Sequence, residues 1–155
     1  MSRGGPEVTT VLFSRLPEGW DLPAPERATA ASAGFDLRAC VDGAVEIAPG
    51  QRAMVPTGII VALPEGFEGQ VRPRSGLAWK RGLTVLNAPG TVDSDYRGEI
   101  RVLLVNLGQE PVQICRGDRV AQLIVQRLPA IELTEAEELP GTARGAGGFG
   151  HTGDR

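Results

Sequence analysis

Read for hydrophobic and polar positions, the chain breaks from Val8 onward into short runs rich in branched aliphatic residues. None sustains the i, i+3, i+4, i+7 spacing of an amphipathic helix over three turns. Residues 9–13 (TTVLF), 51–55 (QRAMV), 58–63 (GIIVAL), 99–105 (EIRVLLV) and 119–125 (RVAQLIV) have the length and composition of β-strands. Between them lie Ala48-Pro49-Gly50, Pro64-Glu65-Gly66, Ala88-Pro89-Gly90 and Arg116-Gly117-Asp118, turn signals at the spacing of a sandwich or barrel. One segment, residues 75–82, predicts a turn or two of helix, with Ser75 as the cap and Gly82 as the stop. An acidic stretch from Glu132 to Glu138 leads to Pro140-Gly141. Beyond it the glycines leave too few side chains to pack alone, so residues 144–155 are expected to form a mobile tail on a single domain of residues 1–143.

Composition sharpens this picture. The 155 residues suit one domain able to bury a core, and 41% hydrophobic with 23% charged residues is a globular balance, neither disordered nor membrane-spanning. With 21 glycines and 12 prolines, about one residue in five is a chain-turning type, and no Gly-X-Y period explains them. Many short strands and tight turns do. A net charge of −3 argues against broad nucleic-acid binding, which needs a basic face, but leaves room for a small anionic ligand held by local arginines. Cys40 and Cys115 stand too far apart for a CxxC motif and are expected to be reduced thiols, a type more often buried than reactive, though the sequence does not fix the burial of either. The first ten residues carry Arg3, Gly4, Gly5, Pro6 and Glu7 where a signal peptide needs an apolar stretch, and no apolar run nears the roughly 18 residues that span a bilayer. The expectation is a soluble, cytoplasmic protein without direct nucleic-acid or membrane binding.

Candidate chemistry concentrates in three places. Residues 90–99 (GTVDSDYRGE) put two carboxylates, a tyrosine and an arginine into a tight turn opening a strand. Turn geometry alone accounts for Asp and Gly there. The functional alternative is that Asp93, following apolar Val92, points into a pocket and orients a water as general base. Residues 72–78 (RPRSGLA) gather guanidinium, hydroxyl and backbone N–H groups where a short helix begins, which is how a phosphate is held, although Arg and Ser at a cap are common on any surface. The glycine-rich tail resembles a phosphate-cradling loop but lacks the Lys-Ser/Thr ending of a Walker motif and a following helix. A linker would explain its glycines but not Arg144, suited to clamp a terminal phosphate, nor Phe149, suited to stack on a base. The lone His151 lacks partners for a metal site.

Taken together, five segments in order resemble the five motifs of the trimeric deoxyuridine triphosphate nucleotidohydrolases, the dUTPases. They are residues 33–39 (AGFDLRA), 74–78 (RSGLA), 87–99 (NAPGTVDSDYRGE), 117–124 (GDRVAQLI) and the tail from Arg144 to Gly153. The resemblance implies an all-β, jelly-roll-like β-barrel with at most one short helix, a homotrimer, and active sites shared between subunits. It implies splitting of dUTP into dUMP and pyrophosphate with Mg2+, which keeps uracil out of DNA and supplies the thymidylate precursor. By the same resemblance Asp93 is the catalytic carboxylate that activates water against the α-phosphorus, and Tyr96 packs under the deoxyribose and excludes a 2′-hydroxyl. Asn87 opens the hairpin that reads uracil, with Thr91 and Val92 in its substrate-binding run. Arg74, Ser75, Gly76 and Gln122 match phosphate contacts, and Asp36 matches the acid that holds Mg2+ through water, the ion being carried mainly by substrate phosphates. Arg144 matches the γ-phosphate clamp, Phe149 the ring closing over uracil, and Gly150 and Thr152 further substrate contacts. His151 departs from the serine of many relatives. Two rivals are disfavoured by Asp93, Tyr96 and Arg144, all of which are present. A dCTP deaminase would lack the Asp-x-x-Tyr hairpin, and a non-catalytic nucleotide-binding β-trimer would be marked by loss of Asp93 or Arg144.

Overall fold

The structure, a computed structural model, describes residues 8–148. Its regular elements there are eleven strands and one α-helix: β1 (Leu12–Arg15), β2 (Phe35–Arg38), β3 (Val45–Ile47), β4 (Arg52–Pro56), β5 (Ile59–Ala62), β6 (Phe67–Arg72), α1 (Ser75–Arg81), β7 (Leu83–Val85), β8 (Gly90–Val92), β9 (Arg101–Asn106), β10 (Val112–Ile114) and β11 (Arg119–Arg127). A single 3-10 turn covers Pro17–Gly19. The five expected strands form, four of them within two residues of their expected ends. The first slides to Leu12–Arg15 because its partner β5 sets the register, from Leu12 opposite Ala62 to Arg15 opposite Ile59.

All pairings are antiparallel and build four small sheets, ordered β2-β11-β6-β8, β4-β9-β7, β1-β5 and β10-β3. Their inner faces close on one core in which Leu37, Ile47, Val55, Leu83, Val102 and Leu104 are almost wholly buried. Burial of this aliphatic surface, at about 25 cal/mol per Å², is the main drive to fold. In the middle of the four-stranded sheet, between β11 and β8, the sequence places Gly69 in β6. A Cβ there would lie 3.1 Å from Leu123 Cδ1 and 3.2 Å from Val92 Cβ, so a strand-weakening residue is kept for a close approach.

The helix begins one residue earlier than expected. Arg74, in extended conformation, occupies the N-cap position without a side-chain bond, and Ser75 is the first helical residue, exposed and capping nothing. The far end behaves as expected: Gly82 turns left-handed at φ 66° and its N–H meets the Ala78 and Leu77 carbonyls.

One arginine holds the long N-terminal connection to the barrel. Arg116 reaches Asp21 through Nε–Oδ2 at 3.1 Å and a second nitrogen to Oδ1 at 2.5 Å, and also donates to the carbonyls of Glu18 and Val41. The buried Cys40 thiol lies beside this guanidinium, at 3.7 Å. Cys115, by contrast, is exposed. It follows buried Ile114 at the mouth of a turn closed by its own N–H to Asp118 Oδ2 at 2.8 Å, and so faces outward. The bond to Arg116 lowers the Asp21 carboxyl below its ordinary value, and the same bond raises the arginine. A lowered acid stabilises the fold above its unfolded value and loses that contribution as pH falls through the folded one. Asp21→Asn is therefore expected to lower the thermal midpoint slightly at neutral pH, and the gap to the parent should close below the ordinary value of 3.8. Melting curves from neutral to strongly acid pH test this, and a gap that persists in acid would contradict it.

Candidate active site

Two clusters of the expected residues form, at separate places on one chain. The first is the end of β8 and the turn that leads from it towards β9. Asn87, Gly90, Thr91, Val92, Asp93 and Tyr96 line one open cavity of about 290 Å³, at the small end of ligand pockets. The chain enters it through a cis Ala88–Pro89 bond. The Asn87 amide lies across Gly90, where a Cβ would stand 3.1 Å from Nδ2. Val92 is buried in the core and so fixes the root of the strand from which Asp93 projects into solvent. The turn itself is tight: Tyr96 N–H bonds the Asp93 carbonyl at 3.2 Å, and Arg97 donates to the carbonyls of Ser94 and Tyr96 at 2.6 and 2.8 Å. Asp93 thus stands on a braced loop at the mouth of a pocket, as a general base requires.

The second cluster lies where β2, β11 and β6 run side by side. Asp36 pairs with Gln122 across β2 and β11, and Gln122 with Arg72 across β11 and β6, so the three share one outer face. Arg74 Nε and Arg119 Nη1 each reach an Asp36 oxygen at 3.2 Å. Gln122 donates to the Pro73 carbonyl at 3.0 Å, and Gly34 leaves room for its side chain. Ser75 and Gly76 follow Arg74 at the exposed start of α1. The Asp36 carboxylate, only 10% exposed, is therefore engaged by two guanidinium groups. Each of its oxygens keeps further acceptor capacity. Among the described residues no set of three or more His, Cys, Asp or Glu side chains is grouped to hold a metal.

The distance between the clusters follows from the register. Gly69 faces Val92, which puts Asp93 level with Glu68, and Arg74 lies six residues further along the chain. At roughly 3.3 Å per residue the separation is about 20 Å. Arg144 joins neither group; its Nε bonds the Gly147 carbonyl at 2.8 Å within its own turn. Phe149, Gly150 and Thr152 lie outside the described residues. Sequence reasoning assigned no role to Arg119, Gly98 or Glu99. Arg119 was legible only as the first residue of a strand, since its partner Asp36 is distant in the chain.

The chain was also compared with known proteins. The family model for dUTPase matches residues 21–153. A deoxyuridine 5'-triphosphate nucleotidohydrolase from Caulobacter vibrioides is 56% identical over 150 residues, covering 96% of this chain and 97% of its own. The dUTPase of Staphylococcus bacteriophage 80alpha, solved as a variant with dUpNHpp, superposes with a TM-score of 0.83 at 24% identity, covering 94% of this chain and 99% of the other. A variant of the phage phi11 dUTPase of S. aureus, described with a coordinated structural Mg(II) ion, gives a TM-score of 0.75 at 25% identity over 84% of this chain and 98% of that one. The jelly-roll-like β fold expected from the five motifs is the fold of these neighbours. Agreement over nearly the whole chain in sequence and in fold makes this protein a member of the dUTPase family.

Proposed function

We propose that the chain hydrolyses dUTP to dUMP and pyrophosphate at sites shared between copies of itself in a homotrimer. The hydrolysis rests on membership of the family and on the braced Asp93 beside the Tyr96 pocket. The sharing rests on the separation of the two clusters, since a triphosphate seated on Arg74, Ser75, Gly76 and Gln122 would lie too far from Asp93 of the same chain. In the assembled site the hairpin of one copy takes the base and sugar, and the arginine cluster of another takes the phosphates. Asp93 accepts the proton of a water whose oxygen bonds the α-phosphorus. The bond from that phosphorus to the α,β-bridging oxygen breaks, and pyrophosphate leaves with the bonding pair. Such a base contributes about 10²–10⁴ in rate, and the guanidinium groups stabilise the leaving charge. Arg144, brought in by the tail, adds positive charge at the γ-phosphate.

Mg2+ bound with the nucleotide would neutralise phosphate charge, and Asp36, whose carboxylate is already paired to Arg74 and Arg119, would hold the ion through water. Among the described residues no helix is long and apolar enough to cross a membrane.

The test has two stages. With Mg2+ and dUTP, dTTP, dCTP or UTP offered separately, dUMP and pyrophosphate should form from dUTP, with little turnover of the others. A deoxyuridine nucleotide formed from dCTP would mark a deaminase, and no turnover at all would leave a binding module. Co-expressing Asp93→Asn with Arg74→Ala chains then tests sharing. Random trimers of two such variants hold intact hairpin and intact arginine cluster in about one-quarter of shared sites, and in none if each chain builds its own.

A further inference from the structure

Tyr96 is held by the residues that follow Arg97 in the turn after β8. Gly98 lies against the hydroxyl end of the ring: a Cβ there would fall 2.9 Å from Cε2 and nearer still to Cζ and the hydroxyl oxygen, so any side chain would displace the ring. The hydroxyl donates to the Glu99 carbonyl at 3.0 Å. Glu99 is itself anchored. Its Oε1 accepts the Gly58 N–H at 2.8 Å, its Oε2 accepts Arg101 Nε at 2.9 Å, and its side chain is only 11% exposed. The anchor has little freedom to move, because Gly58 sits at φ 68° with the Gly19 Cα and the Cys40 thiol packed where its side chain would be. The next residue is bolted down as well, Thr57 Oγ1 donating to the Ile100 carbonyl at 2.6 Å and Ile100 N–H to the Ile59 carbonyl at 2.8 Å.

Resting on the reading above, in which Tyr96 packs under the sugar, we propose that Gly98 and Glu99 are positioning residues that fix the Tyr96 ring and so set how strongly the site rejects a ribonucleotide. Rejecting one hydroxyl by steric contact needs a wall that does not yield by even a fraction of an ångström, and an aromatic side chain 45% exposed on a turn would yield unless something behind it resisted. Here the resistance comes from a backbone carbon in contact with the ring and from a carbonyl whose own residue is tied to the barrel. Glu99 borders the Tyr96 cavity, but both oxygens of its carboxylate are engaged, one by the Gly58 N–H and one by Arg101. It acts through Tyr96.

The chain contains a single tyrosine, so the ring can be watched directly. Gly98→Ala, Glu99→Ala and Glu99→Gln are made in the full chain, kcat/KM is measured for dUTP and for UTP, and the ring resonances of tyrosine-labelled protein are recorded without nucleotide. Gly98→Ala and Glu99→Ala should each lower the dUTP-over-UTP ratio by about tenfold or more, the scale of one lost pocket contact. Both should also shift the ring resonances. Glu99→Gln keeps an oxygen for the Gly58 N–H and should hold the ratio within about threefold of the parent. If the ratio is unchanged in the two alanine variants, or the ring resonances do not move, the proposal is overturned. Should Gly98→Ala fail to fold, the two Glu99 variants decide the matter. A parent that does not hydrolyse dUTP would remove the functional reading, and the resonances would still show whether the seat exists.

Discussion

Asp93→Asn is expected to lower kcat for dUTP by about 10² or more while leaving the fold and nucleotide affinity intact. Asparagine has nearly the same shape, and the side chain it replaces is exposed at the end of β8 and contributes nothing to the core. What changes is basicity, because an amide cannot take the proton of the attacking water. The turn should survive, since its bonds run through the Asp93 and Ser94 carbonyls and not through the carboxylate. Steady-state kinetics, paired with equilibrium titration of a non-hydrolysable dUTP analogue, separates the two effects. A kcat within a few-fold of the parent would remove Asp93 from the mechanism, and a lost affinity with unchanged kcat would make it a binding residue.

Asn106→Ala should be among the most destabilising single changes in the chain, by about 3 kcal/mol. Asn106 has no exposed surface, yet its side chain makes three hydrogen bonds, each at 2.8 Å: Nδ2 to the carbonyls of Ile47 and Glu110, and Oδ1 from the Gly108 N–H. These tie the end of β9 to β3 and to the turn that closes on α1, where Leu107 N–H meets the Gly82 carbonyl at 2.9 Å. Truncation forfeits about 1 kcal/mol for each bond and strands polar backbone groups in a dry interior. Asn106→Asp should be worse still, because it sets a buried oxygen against two carbonyls. Urea unfolding at fixed protein concentration measures both. A loss under about 0.5 kcal/mol for the alanine variant would mean that water replaces the amide.

Asn106 also shows where sequence reading stops. An asparagine just past an aliphatic run looks like any strand end, and nothing local reveals that three backbone segments converge on it. β5, β9 and β11 were legible because they hold enough branched residues to declare themselves. β3, β7, β8 and β10 have three residues each, too few for alternation to register. β6 was masked by Gly69 and by its charged and polar positions, which make sense only once Leu123 and Val92 are seen packed above that glycine. At the site, the hairpin residues and the arginine cluster could be picked out by their motifs, because the chemistry constrains residue type. Their separation along β6 could not, since it depends on strand register, and neither could the seat under Tyr96. Arg116 went unassigned for a related reason: its partners at Glu18 and Asp21 come from a connection with no periodic pattern.

The strap that Arg116 fastens gives the molecule a chemical clock. Cys40 lies beneath it, 7% exposed, with its thiol donating to the Glu18 carbonyl at 3.3 Å, whereas Cys115 stands in the open. A thiol reagent added to the folded protein therefore meets one sulfur at once and the other only when residues near Glu18 lift away. The slow labelling rate then measures how often that edge of the barrel opens, independently of whether the rest of the protein unfolds.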